Sequence, residues 1–206
     1  ALHLTDFEDN LPEGFGLAYL PSLGIMKLRL FVKGKERQAE LDKEVVKLEG
    51  LLGEAILAEK DITIEQILGE RLFEKGLTIA TAESCTGGNI AHLITTIAGS
   101  SNYLKGSVVS YSNEAKLNVL NVYREDLEKD GAVSESVVID MAKGAQKVLN
   151  VDCAIAVSGI AGPGEGTEEK PVGTVWIATA YKDKVIAQKY MMGKFREANI
   201  IRASNI

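Results

Sequence analysis

Three apolar runs in this chain each end in a turn of small residues, and these turns constrain the fold most strongly. They cover residues 83–88, 111–113 and 158–164. Helix-like segments separate the runs, and this alternation is typical of a parallel or mixed sheet with helices on both faces. Because the carboxyl ends of parallel strands meet at one edge of a sheet, we expect the three turns to converge on one ligand site.

The pattern predicts a three-layer α/β/α domain with a mixed sheet. A capping box at Thr63 and Gln66 begins its first helix, and Gly76 ends it. Strands are predicted over 77–81, 107–111 and 151–157, followed by a hairpin of 172–181 and 184–192. Further helices are predicted over 87–97, 113–120, 125–129, 134–149 and 196–206.

Residues 1–61 have a different pattern, which predicts a small α+β unit. We expect strands at 18–20 and 25–32, an amphipathic helix over 36–52 and a short returning strand at 54–58. The predicted domains are therefore 1–61 and 62–206.

Composition narrows the choice of partners. The net charge is −6, which disfavours nucleic acid or an anionic membrane as a partner of the whole protein. No apolar stretch reaches the ~18 residues of a membrane span.

The two cysteines form no CxxC pair, which indicates a reducing compartment and predicts the cytoplasm. No cluster has metal-ligand spacing, so neither metal nor cofactor is expected. Beginning at Ala1 and ending inside a predicted helix, the chain resembles a fragment.

Ser84 is a candidate nucleophile, and it would need a base to take its proton. Neither His3 nor His92 has a position that supports a triad. Lys116 is the better candidate, because an amine held among apolar residues has a lowered pKa. Tyr111 could relay the proton or orient the lysine. The structural alternative is that Ser84 caps a helix and Lys116 is solvated.

Other residues near the turns offer competing roles. Cys85 is a second candidate nucleophile, because a helix N-terminus would lower its pKa. Glu83 could act as a base, or it could accept hydrogen bonds within the turn. Arg196 and Arg202 lie on the last predicted helix, where either could clamp a phosphate or face solvent.

Six ordered segments together resemble the CinA C-terminal domain, whose stand-alone form is the PncC type of nicotinamide-nucleotide amidase. The segments are residues 81–88, 98–101, 111–116, 131–134, 157–163 and 170–175. The resemblance spans about 63–206. Residues 1–61 resemble, more weakly, the KH-like domain that precedes it in CinA.

The resemblance implies hydrolysis of the amide of nicotinamide mononucleotide to nicotinic acid mononucleotide and ammonia, by a serine–lysine mechanism without a cofactor. It assigns the nucleophile to Ser84, the general base to Lys116 and a supporting role to Tyr111. Arg196 matches an arginine associated with the nucleotide phosphate. The other predicted substrate-binding residues are Glu83, Thr86, Gly87, Gly88, Ser101, Asn113, Ser158, Gly159 and Gly162.

The chain also departs from full-length CinA. A large N-terminal domain, which resembles molybdopterin-binding folds and carries a pyrophosphatase activity, is missing, so that activity should be absent. The last helix is short, which could loosen one wall of the site. Residues 1–61 contain more acidic than basic residues, so we interpret them as a linker or dimerisation module and expect a homodimer. The alternative function is a non-catalytic nucleotide-binding or competence-related interaction module.

Overall fold

The structure is a computed structural model that describes residues 4–22 and 25–206, without the side chains of Ser22 and Ile25. His3 therefore lies outside the described residues. The chain divides into two compact units, Ala1–Ile62 and Thr63–Ile206.

The first unit contains a two-stranded antiparallel sheet and two helices. Its elements are α1 (Thr5–Asp9), β1 (Phe15–Ser22), β2 (Ile25–Val32) and α2 (Gln38–Leu52). Buried Phe7 and Leu48 pack with leucines of the strands to form its core. The strand predicted at 54–58 is wrong. Gly53, at φ +50°, ends α2, a 3₁₀ turn covers Gly53–Ala55, and residues 56–58 form no strand.

The second unit contains a five-stranded mixed sheet, as predicted. The strands lie in the order β4-β3-β5-β6-β7, with β4, β3 and β5 parallel and the remaining pairs antiparallel. The strands are β3 (Ile79–Glu83), β4 (Leu104–Val109), β5 (Cys153–Gly159), β6 (Thr174–Tyr181) and β7 (Lys184–Met191). The helices are α3 (Ile64–Lys75), α4 (Asn89–Thr95), α5 (Asn113–Leu120), α6 (Arg124–Asp130), α7 (Glu135–Leu149) and α8 (Arg196–Ser204).

Helices cover both faces of this sheet, which confirms the α/β/α fold class. On one face, α7 packs over the strands with α5 and α6 beside it. The strand residues beneath α7 are mostly alanines, whose small side chains let a helix lie close to the sheet. On the other face, buried residues of α3, α4 and α8 form a second core with Val157, Val175 and Ile177.

The strand order places a topological switch point at the end of β3. From β3 the chain goes to β4 on one side, then crosses back to β5 on the other. Ser110 donates its N–H to the Glu83 carbonyl over 2.8 Å, and Ser84 donates to the Val157 carbonyl over 2.9 Å. The three strand ends thus meet at one edge, where open α/β sheets bind ligands.

Gly144 allows α5 and α7 to approach closely. A Cβ at this position would lie 2.1 Å from the carbonyl oxygen of Leu120, the last residue of α5. We expect Gly144→Ala to destabilise the second unit by about 1–3 kcal/mol, because backbone must shift to admit the methyl group. Urea unfolding measures the change.

Gly50→Ala is the matched control, because Gly50 lies in α2 with no atom within 4 Å of its added Cβ. That substitution should be neutral or stabilising by up to ~1 kcal/mol. Equal or increased stability of Gly144→Ala would contradict the prediction.

Candidate active site

Ser84 is presented by a sharp turn between β3 and α4. Gly87 and Gly88 adopt φ values of +63° and +100°, a region that favours glycine. Ser84 directly follows the end of β3, so it lies at the carboxyl edge of the sheet. Its side chain is mostly buried, with the residue 9% exposed.

Glu83 holds this turn from beneath. It is fully buried, and its carboxylate accepts the N–H groups of Gly88 (2.9 Å), Ile90 (3.1 Å) and Ala91 (2.8 Å). The Thr81 hydroxyl also donates to it over 3.0 Å. A carboxylate is well suited to the unpaired N–H groups at the beginning of a helix. Glu83 therefore supports the turn from the interior, as the hydrogen-bonding alternative predicted.

Lys116 reaches Ser84 from the other face of the sheet. Ser112 caps α5 by accepting the N–H of Ala115 over 3.1 Å, which places Lys116 one turn into the helix. The residue is only 1% exposed. Its Nζ donates to Ser84 Oγ over 3.1 Å and to the Ser110 carbonyl over 2.7 Å. Burial lowers the pKa of Lys116 below its ordinary value of 10.5. The solvated alternative for this lysine is therefore wrong.

Tyr111 does not contact the pair, contrary to the expected relay. It is 61% exposed, and its hydroxyl accepts a hydrogen bond from Nη2 of Arg196 over 3.0 Å. The chain alternates here, so Ser110 points inward and its neighbour outward; the Ser110 carbonyl holds the lysine instead. Arg196 Nη1 also donates to the Gly162 carbonyl over 2.8 Å, which connects two of the three turns.

Cys85 is buried, and burial raises its pKa to about 11. The expected fall in its pKa is wrong, because desolvation outweighs the favourable effects of Lys116 and Arg196. The thiol is therefore a poor nucleophile at neutral pH. A Cβ on Gly159 would lie 3.0 Å from the Cys85 sulfur and 2.7 Å from the Val175 side chain. Gly159 thus has a packing role beside the turn.

Three of the remaining predicted residues differ in their surroundings. Thr86 is buried at the turn, and its hydroxyl has no hydrogen-bond partner among the described residues. Ser158 donates to the Ala132 carbonyl over 2.6 Å and so holds the loop before α7. Asn113 is exposed at the beginning of α5.

The structure does not place Ser101 near the pair. It lies in the 3₁₀ turn that precedes β4, at the amino edge of the sheet. The length of a six-residue strand, roughly 20 Å, separates it from the carboxyl edge. Within the chain, the direction of β4 therefore places Ser101 at the edge opposite to Ser84 and Lys116.

Two buried residues at this edge were not predicted. The Ser110 carbonyl fixes Lys116, and Asn199 of α8 donates to the Ala161 and Gly193 carbonyls. The three-residue spacing of Arg196, Asn199 and Arg202 could have indicated that one polar face of this helix is held against the protein.

The remaining candidates for a role in the site are histidine and metal ligands. His92 is exposed on α4. Over residues 4–22 and 25–206, no group of three His, Cys, Asp or Glu side chains could hold a metal ion. Within the same ranges, no helix is long and apolar enough to cross a membrane.

The fold and site define a class: α/β/α domains with a buried serine–lysine pair at the switch point of a mixed sheet. A family model described as the CinA C-terminal domain matches residues 61–205, and the chain belongs to the CinA family. A CinA-like protein of Flavobacterium psychrophilum is 46% identical over 209 aligned residues, covering 100% of this chain and 50% of the relative. Another from Cytophaga hutchinsonii is 46% identical over 200, covering 96% and 48%. The chain spans about half the length of these relatives.

Solved structures of CinA-superfamily and competence/damage-inducible proteins share the fold. One from Escherichia coli matches with a TM-score of 0.67 and 30% identity, covering 75% of this chain and 92% of its own. One from Agrobacterium tumefaciens matches with a TM-score of 0.63 and 39% identity, covering 70% and 93%.

Glu83→Gln tests the support beneath Ser84. The amide keeps the shape but replaces one acceptor with a donor that faces helix N–H groups. We expect a loss of about 1–3 kcal/mol in the free energy of unfolding, because a buried N–H loses its acceptor. Urea denaturation of the variant checks this.

Glu114→Gln is the control, because Glu114 is an exposed carboxylate in the first turn of α5. It should change stability by no more than ~0.5 kcal/mol. Similar small effects for both variants would show that the carboxylate of Glu83 does not hold α4.

Proposed function

We propose that this chain hydrolyses the carboxamide of nicotinamide mononucleotide, giving nicotinic acid mononucleotide and ammonia. The observation that carries the proposal is the 3.1 Å contact between the buried Lys116 Nζ and Ser84 Oγ. The substrate class comes from the resemblance to the CinA C-terminal domain, whose family model matches residues 61–205.

In this mechanism, neutral Lys116 accepts the Ser84 proton as Oγ attacks the carboxamide carbon. The tetrahedral intermediate collapses when the lysine returns the proton to the departing nitrogen, which leaves as ammonia. Lys116 then takes a proton from water, whose oxygen attacks the acyl-enzyme ester and releases the carboxylate. The lysine finally returns its proton to Ser84 Oγ. Burial assists both steps by favouring the neutral amine.

Thr86 is our candidate for contact with the developing oxyanion. It lies two residues after Ser84, and its buried hydroxyl is free of protein partners within the described part of the chain. A donor already fixed beside the nucleophile stabilises the charge that appears in the transition state.

Arg196 is our candidate for the phosphate contact. It is the first residue of α8, where a cation opposes the helix dipole. Its described hydrogen-bond partners are neutral, the Tyr111 hydroxyl and the Gly162 carbonyl, and no ion pair involves it in the described ranges. A guanidinium with such partners can exchange them for a phosphate, to which it binds more strongly.

For residues 1–61 we propose a linker or dimerisation role. Val46 and Leu51 of α2 are exposed apolar side chains, which suits contact with another protein surface. KH domains use a GxxG loop to clamp nucleic-acid backbone. Gly50 and Gly53 have this spacing, but the two residues between them are leucines and the segment lies at the end of α2, not in a loop.

The activity test uses nicotinamide mononucleotide without added metal. We expect Ser84→Ala and Lys116→Ala to lower ammonia release by about 10³-fold or more, because each removes one half of the acting pair. A coupled ammonia assay measures the rates. Cys85→Ala is the control, and it should retain activity within about threefold, because the thiol takes no part in the chemistry.

Normal turnover by either Ser84→Ala or Lys116→Ala would overturn the mechanism. Tight nucleotide binding by the unmodified protein without ammonia release would instead favour a non-catalytic nucleotide-binding module.

The lowered pKa of Lys116 predicts how stability depends on pH. Between its folded pKa and 10.5, the unfolded chain binds more protons than the folded chain, so folding stability rises with pH. Lys116→Met lacks this term. We expect Lys116→Met to be more stable than the unsubstituted protein at pH 7, with a difference that shrinks as the pH approaches 10.5.

Urea unfolding of both proteins across this range measures the difference. The rate of ammonia release should rise in the same window, as the neutral amine becomes populated. A stability difference that is independent of pH would contradict the lowered pKa.

A further inference from the structure

We propose that Asn199 is a positioning residue, which places Arg196 at the mouth of the site and so sets the affinity for the phosphate of the substrate. The effect on phosphate affinity rests on the proposed function, whereas the positioning of α8 by Asn199 does not. Asn199 lies in the middle of α8 and is 1% exposed.

One amide group of Asn199 holds two loops. Its Nδ2 donates to the Ala161 carbonyl and to the Gly193 carbonyl, each over 3.0 Å. Ala161 belongs to the loop that follows β5, whereas Gly193 follows β7. The amide therefore fixes α8 against both loops at the carboxyl edge of the sheet.

The neighbours of Asn199 on the helix make related contacts. Arg196, three residues before, donates to the Gly162 carbonyl, and Arg202, three residues after, donates from Nη1 to the Met192 carbonyl over 2.7 Å. All three side chains thus bind backbone carbonyls of the same two loops. Asn199 is the buried central member, whereas Arg196 is exposed and able to change partners.

The geometry requires a short side chain with two donor hydrogens. An aspartate would put a carboxylate oxygen against two carbonyl oxygens, and an alanine would leave both carbonyls without this donor. The loop is also tightly packed, since a Cβ on Gly173 would lie 2.3 Å from the Gly193 carbonyl oxygen. The position of α8 therefore depends on the amide.

Ser84 and Lys116 are held by other contacts. The pair depends on the turn above Glu83, on α5 and on the Ser110 carbonyl, none of which Asn199 touches. Loss of the amide should therefore weaken binding of the nucleotide and leave the chemical step nearly unchanged.

The kinetic test compares Asn199→Ala and Asn199→Asp with Ser204→Ala. Ser204 lies near the other end of α8, where its Oγ accepts Asn89 Nδ2 over 2.9 Å, so its loss also removes a tie of the same helix. For both Asn199 variants we expect KM for nicotinamide mononucleotide to rise about tenfold while kcat stays within about threefold. Turnover of nicotinamide riboside, which lacks the phosphate, should not change. Ser204→Ala should leave both constants unchanged.

Hydrogen exchange supplies a readout that does not need activity. Gly173 donates its N–H to Ile160, and Met192 donates to Gly173, each over 2.8 Å. These amides should exchange faster in both Asn199 variants and not in Ser204→Ala. If the unsubstituted protein releases no ammonia, the proposed function fails while this measurement still tests the positioning.

Two outcomes would overturn the inference. One is exchange in the Asn199 variants that matches Ser204→Ala. The other is a loss confined to kcat with KM unchanged, which would mean that Asn199 supports the pair and not the phosphate contact.

Discussion

The burial of the Lys116 amine is the constraint on which the second unit depends. A buried cation is costly, and the hydrogen-bond partners of this amine among the described residues are a serine hydroxyl and a backbone carbonyl. The close approach of α5 to α7 at Gly144, and of α7 to the alanines of the sheet, brings the lysine inside. The packing of one face thus creates the electrostatic setting of the candidate site.

Two of the buried ionisable groups at this edge, Glu83 and Lys116, differ in their hydrogen bonding. Glu83 is surrounded by donors from α4 and from neighbouring hydroxyls, so it has no remaining capacity for chemistry. Lys116 has fewer partners, and its charged form is disfavoured. Similar burial therefore leaves the two groups in different surroundings: Glu83 accepts several hydrogen bonds, whereas Lys116 has few partners and a lowered pKa.

Local signals predicted the regular elements well. The predicted bounds of α5, 113–120, are those observed, and Thr63 and Gly76 delimit α3 because a capping hydroxyl and a left-handed glycine act locally. The strand predicted at 54–58 was wrong because a short apolar run becomes a strand only if a partner lies beside it. Convergence of the three turns was expected if the strands were parallel neighbours, and the observed order β4-β3-β5 makes them so.

The direction of the Tyr111 side chain and the desolvation of Cys85 could not be predicted from the sequence. Tyr111 is the residue after Ser110, whose carbonyl accepts a hydrogen bond from Lys116. Because successive side chains point to opposite sides here, Ser110 is buried and Tyr111 is exposed. The effect of burial on the Cys85 pKa depends on packing from β5 and β6, which are distant in sequence. Asn199 lacked a predicted role because its partners are backbone carbonyls, which any sequence supplies.

Ser84 lies in the turn that leads into α4, and Lys116 lies in the first part of α5, on the opposite face of the sheet. Neither layer alone could hold them 3.1 Å apart, since α4 packs in one core and α5 in the other. A nascent or partly unfolded chain would therefore carry no competent pair. The proposed pair would form only when both layers have closed on the central strand.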